Sequence, residues 1–296
     1  YGKGRLTRIN DASGQTTWAY GPDGQLLQQT STVVGVSHTV SWAYDAAGRL
    51  SSQTYPGGLV IGVQYDGSGR PRWITSNVPG WSIVADNFLY QPATDVPYAW
   101  RLANAKVHWK VHDTDGRLTT LYTQGAMSQG IAYNATGTVA SLSDAVYPAR
   151  NATYAYDPTD RLVQAARAGD HQTFSHDKVG NRTAHSRAGA SWAYGLDAGA
   201  NRPVWANGSS SRSFAYDARG NLLADSLGSR SYAYDPFDRL ARVTVGSTQV
   251  GDYRSNALNQ RVRKTTSSGS TSYVYGPGGE LLHEQGSTST SYVWFA

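Results

Sequence analysis

Residues 42–50 read Trp42-Ala43-Tyr44-Asp45-Ala46-Ala47-Gly48-Arg49-Leu50, and residues 214–222 read Phe214-Ala215-Tyr216-Asp217-Ala218-Arg219-Gly220-Asn221-Leu222. Two aromatics two places apart lie on one face of an extended strand. An Asp and, three places on, a Gly then reverse the chain: the carboxylate accepts the next backbone N–H groups, and Gly accepts positive φ. The Arg-Leu or Asn-Leu that follows begins the return strand. One such unit is a β-hairpin.

The unit recurs along the whole chain. The aromatic pair returns as Trp18-Ala19-Tyr20, Phe88-Leu89-Tyr90, Tyr154-Ala155-Tyr156, Phe174-Ser175-His176, Trp192-Ala193-Tyr194, Tyr232-Ala233-Tyr234, Tyr273-Val274-Tyr275 and Tyr292-Val293-Trp294. Val63-Gln64-Tyr65 and Ile131-Ala132-Tyr133 keep the second ring only, and Lys110-Val111-His112 keeps His there. Turns with Asp first and Gly fourth follow at Asp66 to Gly69, Asp113 to Gly116 and Asp177 to Gly180; Gly137 and Gly279 hold the same fourth place. In Asp157-Pro158-Thr159-Asp160, Asp235-Pro236-Phe237-Asp238 and Asn256-Ala257-Leu258-Asn259, the fourth residue is Asp or Asn, which tolerate left-handed geometry. The mean period is about 21 residues, giving about 14 repeats and about 28 short strands. The expected fold is all-β: tandem hairpins in one continuous, spiralling sheet, with residues 1–296 a single repeat region. Arg101 to Lys106 is the one stretch whose pattern allows a helix.

Composition narrows the function. The chain has 296 residues, 34 aromatics among them, no Cys and 16% charged residues. Aromatics at this density oppose disorder, and without Cys there are no disulfides, thiolate metal sites or thiol nucleophiles. No apolar run reaches the ~18 residues of a membrane span. The net charge is +5, but the arginines are spread along the chain rather than gathered in a stripe, so nucleic acid is not an expected partner. The opening Tyr1-Gly2-Lys3-Gly4-Arg5-Leu6 carries no leader and reads as the interior of a longer chain.

Candidate chemistry is sparse. His108 and His112 lie about 13 Å apart on a strand, too far for one zinc ion, and His112 and His176 read as substitutes for the second ring. The Asp-rich turns carry too few carboxylates for calcium. No nucleophile elbow, phosphate loop or His-Glu-x-x-His motif is present. No catalytic residue, metal or cofactor is expected. Asn134, Asn151, Asn181 and Asn207 begin glycosylation sequons, which carry meaning only in a eukaryotic secretory pathway and read as chance. Trp73, Trp81, Trp100, Trp109 and Trp205 stand off the ladder. They are candidate ligand-contact residues, for a glycan or for the inside of a shell.

Aromatic-x-Tyr-Asp-x-x-Gly-Arg-Leu at this period resembles the tyrosine–aspartate (YD) repeats of the rearrangement-hotspot (RHS) family. The resemblance implies a hollow shell wound from one sheet, like that of Tc-toxin C components and polymorphic toxins. It implies a non-catalytic wall that sequesters a C-terminal toxic polypeptide until delivery. The implied partners are that polypeptide, the rest of the shell and components of a secretion machinery, and the implied location is outside the bacterial cell or on its surface. Such shells often end in a core with paired Asp-Pro-x-Gly motifs that release the toxin. Here Asp157 and Asp235 precede Pro, but Asp stands in the fourth place of both, so that self-cleavage is not carried over. The toxin and the core are expected beyond Tyr292-Val293-Trp294-Phe295-Ala296. Some 28 strands at ~4.8 Å make a ribbon about 135 Å long, roughly one circuit around a 100-residue cargo. The alternative reading is a surface-displayed repeat region that binds carbohydrate or a partner protein.

Overall fold

The computed structural model describes residues 1–295. The chain is all-β: 28 strands and a single 3-10 turn, Pro148–Arg150, with no α-helix among the described residues. Strands adjacent in sequence pair antiparallel, hairpin after hairpin.

The hairpin around Asp45 shows how the repeat closes. The Asp45 N–H donates to the Arg49 carbonyl and the Gly48 N–H to the Asp45 carbonyl, both at 2.9 Å. Gly48 has φ +79°. This is a type I turn followed by a left-handed residue, a combination that matches the twist of paired strands. Asp160, Asp238 and Asn259 take the same place with φ of 58°, 60° and 59°. Beyond the turn, Tyr44 faces Leu50 while Ala43 faces Ser52, so Ser51 is an extra residue, a β-bulge. The same shift occurs beside Tyr20, Tyr65, Tyr133, Tyr156, Tyr216, Tyr234 and Tyr275. The segment with helical potential forms none. Arg101 and Leu102 end the strand Pro97–Leu102, and Ala105 at φ +63° completes a turn of the same kind before Val107–His112.

Residues group into two compact units, Tyr1–Phe88 with the segment from Arg230 onward, and Leu89–Ser229. In the first, Val33, Val40, Tyr55, Ile61, Ile74 and Ala85 are buried from the early segment, and Val262, Val274 and Leu282 from the late one. The two segments meet directly. The Gln29 side-chain amide donates to the Tyr275 carbonyl at 2.7 Å, and the Ala257 N–H donates to an Asp11 carboxylate oxygen at 2.7 Å. Both bonds join residues 246 apart in sequence. In the second unit the buried apolar residues among those described are Ala99, Trp100 and Ala206, so side-by-side contacts along the ladder replace a conventional core there.

Candidate functional site

The most repeated feature is the join between neighbouring hairpins. The Tyr44 hydroxyl donates to the Leu26 carbonyl at 3.0 Å, and the Tyr65 hydroxyl to the Leu50 carbonyl at 2.8 Å. Tyr20, Tyr133, Tyr156, Tyr216 and Tyr275 reach the carbonyls of Leu6, Leu118, Val139, Pro203 and Arg261 in the same way. Every acceptor except Leu6, which precedes the strand Arg8–Asp11, belongs to the return strand of the preceding repeat, where the bulge disturbs ladder pairing and leaves backbone groups to be satisfied. Burial raises the Tyr44 and Tyr65 phenols, so both stay protonated donors at neutral pH.

The aspartates hold the other side of the join. Asp45 Oδ1 accepts the N–H groups of Ala47 and Arg49 at 2.9 Å, and its Oδ2 accepts Arg49 Nε at 2.8 Å. Asp66, Asp113, Asp157 and Asp235 hold Arg70, Arg117, Arg161 and Arg239 likewise, and Asp177 and Asp217 hold Asn181 and Asn221. The backbone N–H of Arg49 and then its guanidinium keep the Asp45 carboxyl below the usual range; the Arg70 N–H does the same for Asp66. The fixed guanidinium of Arg49 lies over the ring of Tyr65, 4.3 Å from its centroid, and Arg117 lies over Tyr133 at 4.9 Å. Asp, Arg, the next Tyr and the preceding carbonyl thus form a closed link between repeats. The arginines were legible as the fifth residue of the motif, but nothing in one repeat shows that they cover a ring of the next.

The glycines of the fourth place, Gly48, Gly69, Gly116, Gly137, Gly180, Gly220 and Gly279, have φ between 79° and 93°. Tyr90 and Tyr234 end their strands. Tyr194 does not: its strand runs on to Leu196, and Asp197 opens a longer turn in which its N–H donates to the Arg202 carbonyl at 2.8 Å.

The five tryptophans do not converge. Trp73 lies under the Arg72 guanidinium at 4.7 Å, and Trp81 sits in a loop, 54% exposed. Trp100 is 8% exposed against His108, with ring centroids 4.4 Å apart, and Trp109 stacks on Tyr122 at 3.7 Å. Trp205, 39% exposed, covers Gly195. His108 and His112 share one strand, with His108 on Thr123 at 2.8 Å and His112 on Gln91 at 3.2 Å. No group of three or more potential metal ligands occurs among the described residues.

The family model of the RHS repeat matches residues 1–33 and 44–77. Those two stretches carry RHS repeats. The chain also shares its fold with part of two solved structures. One is the TcdB2-TccC3-TEV crystal structure, with TM-score 0.66 and 14% identity over 95% of this chain. The other is the Photorhabdus luminescens Tc holotoxin pore with the TccC3 mutation D651A, with TM-score 0.67 and 16% identity over 96% of this chain. The likeness covers 18% and 17% of those chains. No curated sequence matches it.

Proposed function

We propose that this RHS array is a stretch of wall from a toxin shell, without catalysis of its own, which sequesters a C-terminal toxic polypeptide until delivery. The observation that carries the reading is the hairpin-to-hairpin link, repeated from Tyr20 to Tyr275 with the same atoms. A chain whose chemistry-bearing side chains are largely spent on joining its own repeats is a structural wall. The likeness to part of the Tc complexes supports the toxin setting. The wall's partners would be the enclosed polypeptide, the remaining shell segments of the parent protein and the machinery that exports them. No helix is long and apolar enough to cross a membrane, among the described residues.

The test is native purification of the parent protein, intact mass under denaturing conditions, and proteolysis of the native particle. A second, smaller polypeptide that separates only in denaturant and resists protease in the native state is the expected result. One uncleaved chain whose C-terminal part is digested as fast as a free peptide would overturn it.

A further inference from the structure

In the first unit, the late strands carry a row of guanidinium groups that the fold leaves without counter-ions. Arg242, on Leu240–Val245, faces Asp252 on Thr248–Ser255, and Arg254 stands two places beyond Asp252 on the same face. Arg254 in turn faces Arg263 on Arg261–Thr266. Facing residues lie about 5 Å apart and diagonal ones about 7–8 Å, so three cations cross three adjacent strands. Elsewhere the sheet sets opposite signs in such places: Arg167 faces Asp170 and pairs with it at 3.1 Å. Here Arg263 donates to the Ser270 hydroxyl at 3.1 Å. Arg242 and Arg254 are exposed and make no ion pair among the described residues, not even with Asp252. Like charges directly opposite each other destabilise a ladder. A wall gains nothing from that arrangement, whereas a site for an anion does.

The row borders a cleft of about 360 Å³, whose lining includes Arg242, Asp252 and Arg254 together with the small side chains of Ala233 and, from the turn of the first hairpin, Ala12 and Ser13. Ala233 is the residue that faces Arg242 on the strand before it, so that side of the guanidinium is left open. The geometry chooses among anions. Alternate side chains of an extended peptide share a face and recur about every 6.5–7 Å, close to the diagonal spacing of Arg242 and Arg254. The planar fork of a guanidinium takes a carboxylate through two parallel hydrogen bonds. The Asp252 carboxylate accepts hydrogen bonds and donates none. Peptide N–H groups supply what it needs, whereas a run of phosphates brings negative charge against it and no donor. We propose that this cleft binds an acidic peptide in extended form, a partner segment with carboxylates at alternate positions, seated on Arg242 and Arg254 with Arg263 adding to the field.

The probes are three heptapeptides: Gly-Ser-Glu-Ser-Glu-Ser-Gly, its isomer with the two glutamates adjacent, and its counterpart with Gln in place of both. Each is titrated into the full chain at low salt and followed by the arginine Nε–H signals in NMR. The alternating peptide should bind about fivefold more tightly than the isomer, which seats one carboxylate, and at least about tenfold more tightly than the Gln peptide. Arg254→Gln should cost the alternating peptide about fivefold. The same change should raise the melting midpoint of the free chain, since it removes one of two facing charges; a merely structural arginine would lower it. Lys178→Gln, which takes one charge from a turn of the other unit, should leave binding within about twofold. Glutarate, with two carboxylates and no peptide bond, should compete about tenfold less well. No binding of the alternating peptide at about millimolar concentration, equal affinity for the adjacent isomer, tighter binding of a single-stranded oligonucleotide, or a lower melting midpoint in Arg254→Gln would overturn the assignment.

Discussion

A phenol that spends its hydroxyl on the backbone of the neighbouring hairpin ties two repeats with one atom. Tyr44→Phe keeps the ring under its neighbours and removes only the bond to the Leu26 carbonyl. It should lower stability by about 1 kcal/mol in urea unfolding, the net worth of one hydrogen bond; no shift in midpoint would mean that water replaces the phenol without loss. Gly220 stands at φ +92° with only the end of Arg202 near its missing side chain. Gly220→Val therefore carries a purely conformational penalty of roughly 1–2 kcal/mol, and unchanged thermal unfolding would remove the left-handed turn from the account. The turn carboxylates add an acid limit. Asp45, Asp66 and Asp217 titrate lower in the fold than in the open chain, where the value is 3.8. Their contribution is complete above that value and is lost as pH falls below it, because the unfolded chain then binds more protons. Asp217→Asn should flatten the steepest part of the melting curve below pH 4.

Between elements, the sharpest contact is that of His38, on the strand Val36–Tyr44, with His283, on Leu281–Gln285. They are 6% and 1% exposed, with ring centroids 6.2 Å apart. His283 sits between the hydroxyls of Ser291 and Ser289 at 2.9 and 3.3 Å. Burial pushes both rings below the ordinary value of 6.5, and for His38 the charge of His283 adds to it. The fold thus keeps them neutral while the unfolded chain takes up protons as pH falls below about 6.5. Melting temperature should hold from pH 8 to 7 and fall between 6.5 and 5, and His283→Gln should shrink that fall; a variant with the wild-type profile would locate the sensitivity elsewhere. Much at this scale was legible in the sequence. Asp first and Gly fourth predict the turn wherever they occur, and paired rings mark the strand before it. The bulge at Ser51 was not legible, since no residue type announces an unpaired place. The helical potential of Arg101 to Lys106 yields to Ala105, a residue with no intrinsic liking for left-handed geometry, held there by the register of the strands on either side. Nor does one ladder reveal that His38 is buried, because the covering strand lies at the far end of the chain.

For the molecule as a whole, the apolar core belongs to a unit assembled from both ends of the sequence. Val40 and Ile74 are at most 1% exposed in one segment, as are Val274 and His283 in the other. A chain ended at Ser229 retains the strands around Val40 but loses those that carry Val274, Leu282 and His283. In such a chain the segment 1–88 should be cut by protease at least tenfold faster, as expected when local opening becomes easier, while 89–229 keeps its resistance. Equal resistance of both would mean that the early segment is stable uncovered. The contacts behind this prediction share a spacing. Gln29 meets Tyr275 and Asp11 meets Ala257 at the same offset of 246 residues, and His38 meets His283 one place short of it. That spacing is roughly a dozen repeats, so the array acts as a ruler. Adding or deleting one hairpin anywhere between would leave every local join intact, yet bring a different strand to each meeting point, with His38 facing a residue from the wrong rung. Such a chain tolerates changes of letter within a repeat far better than changes in the number of repeats.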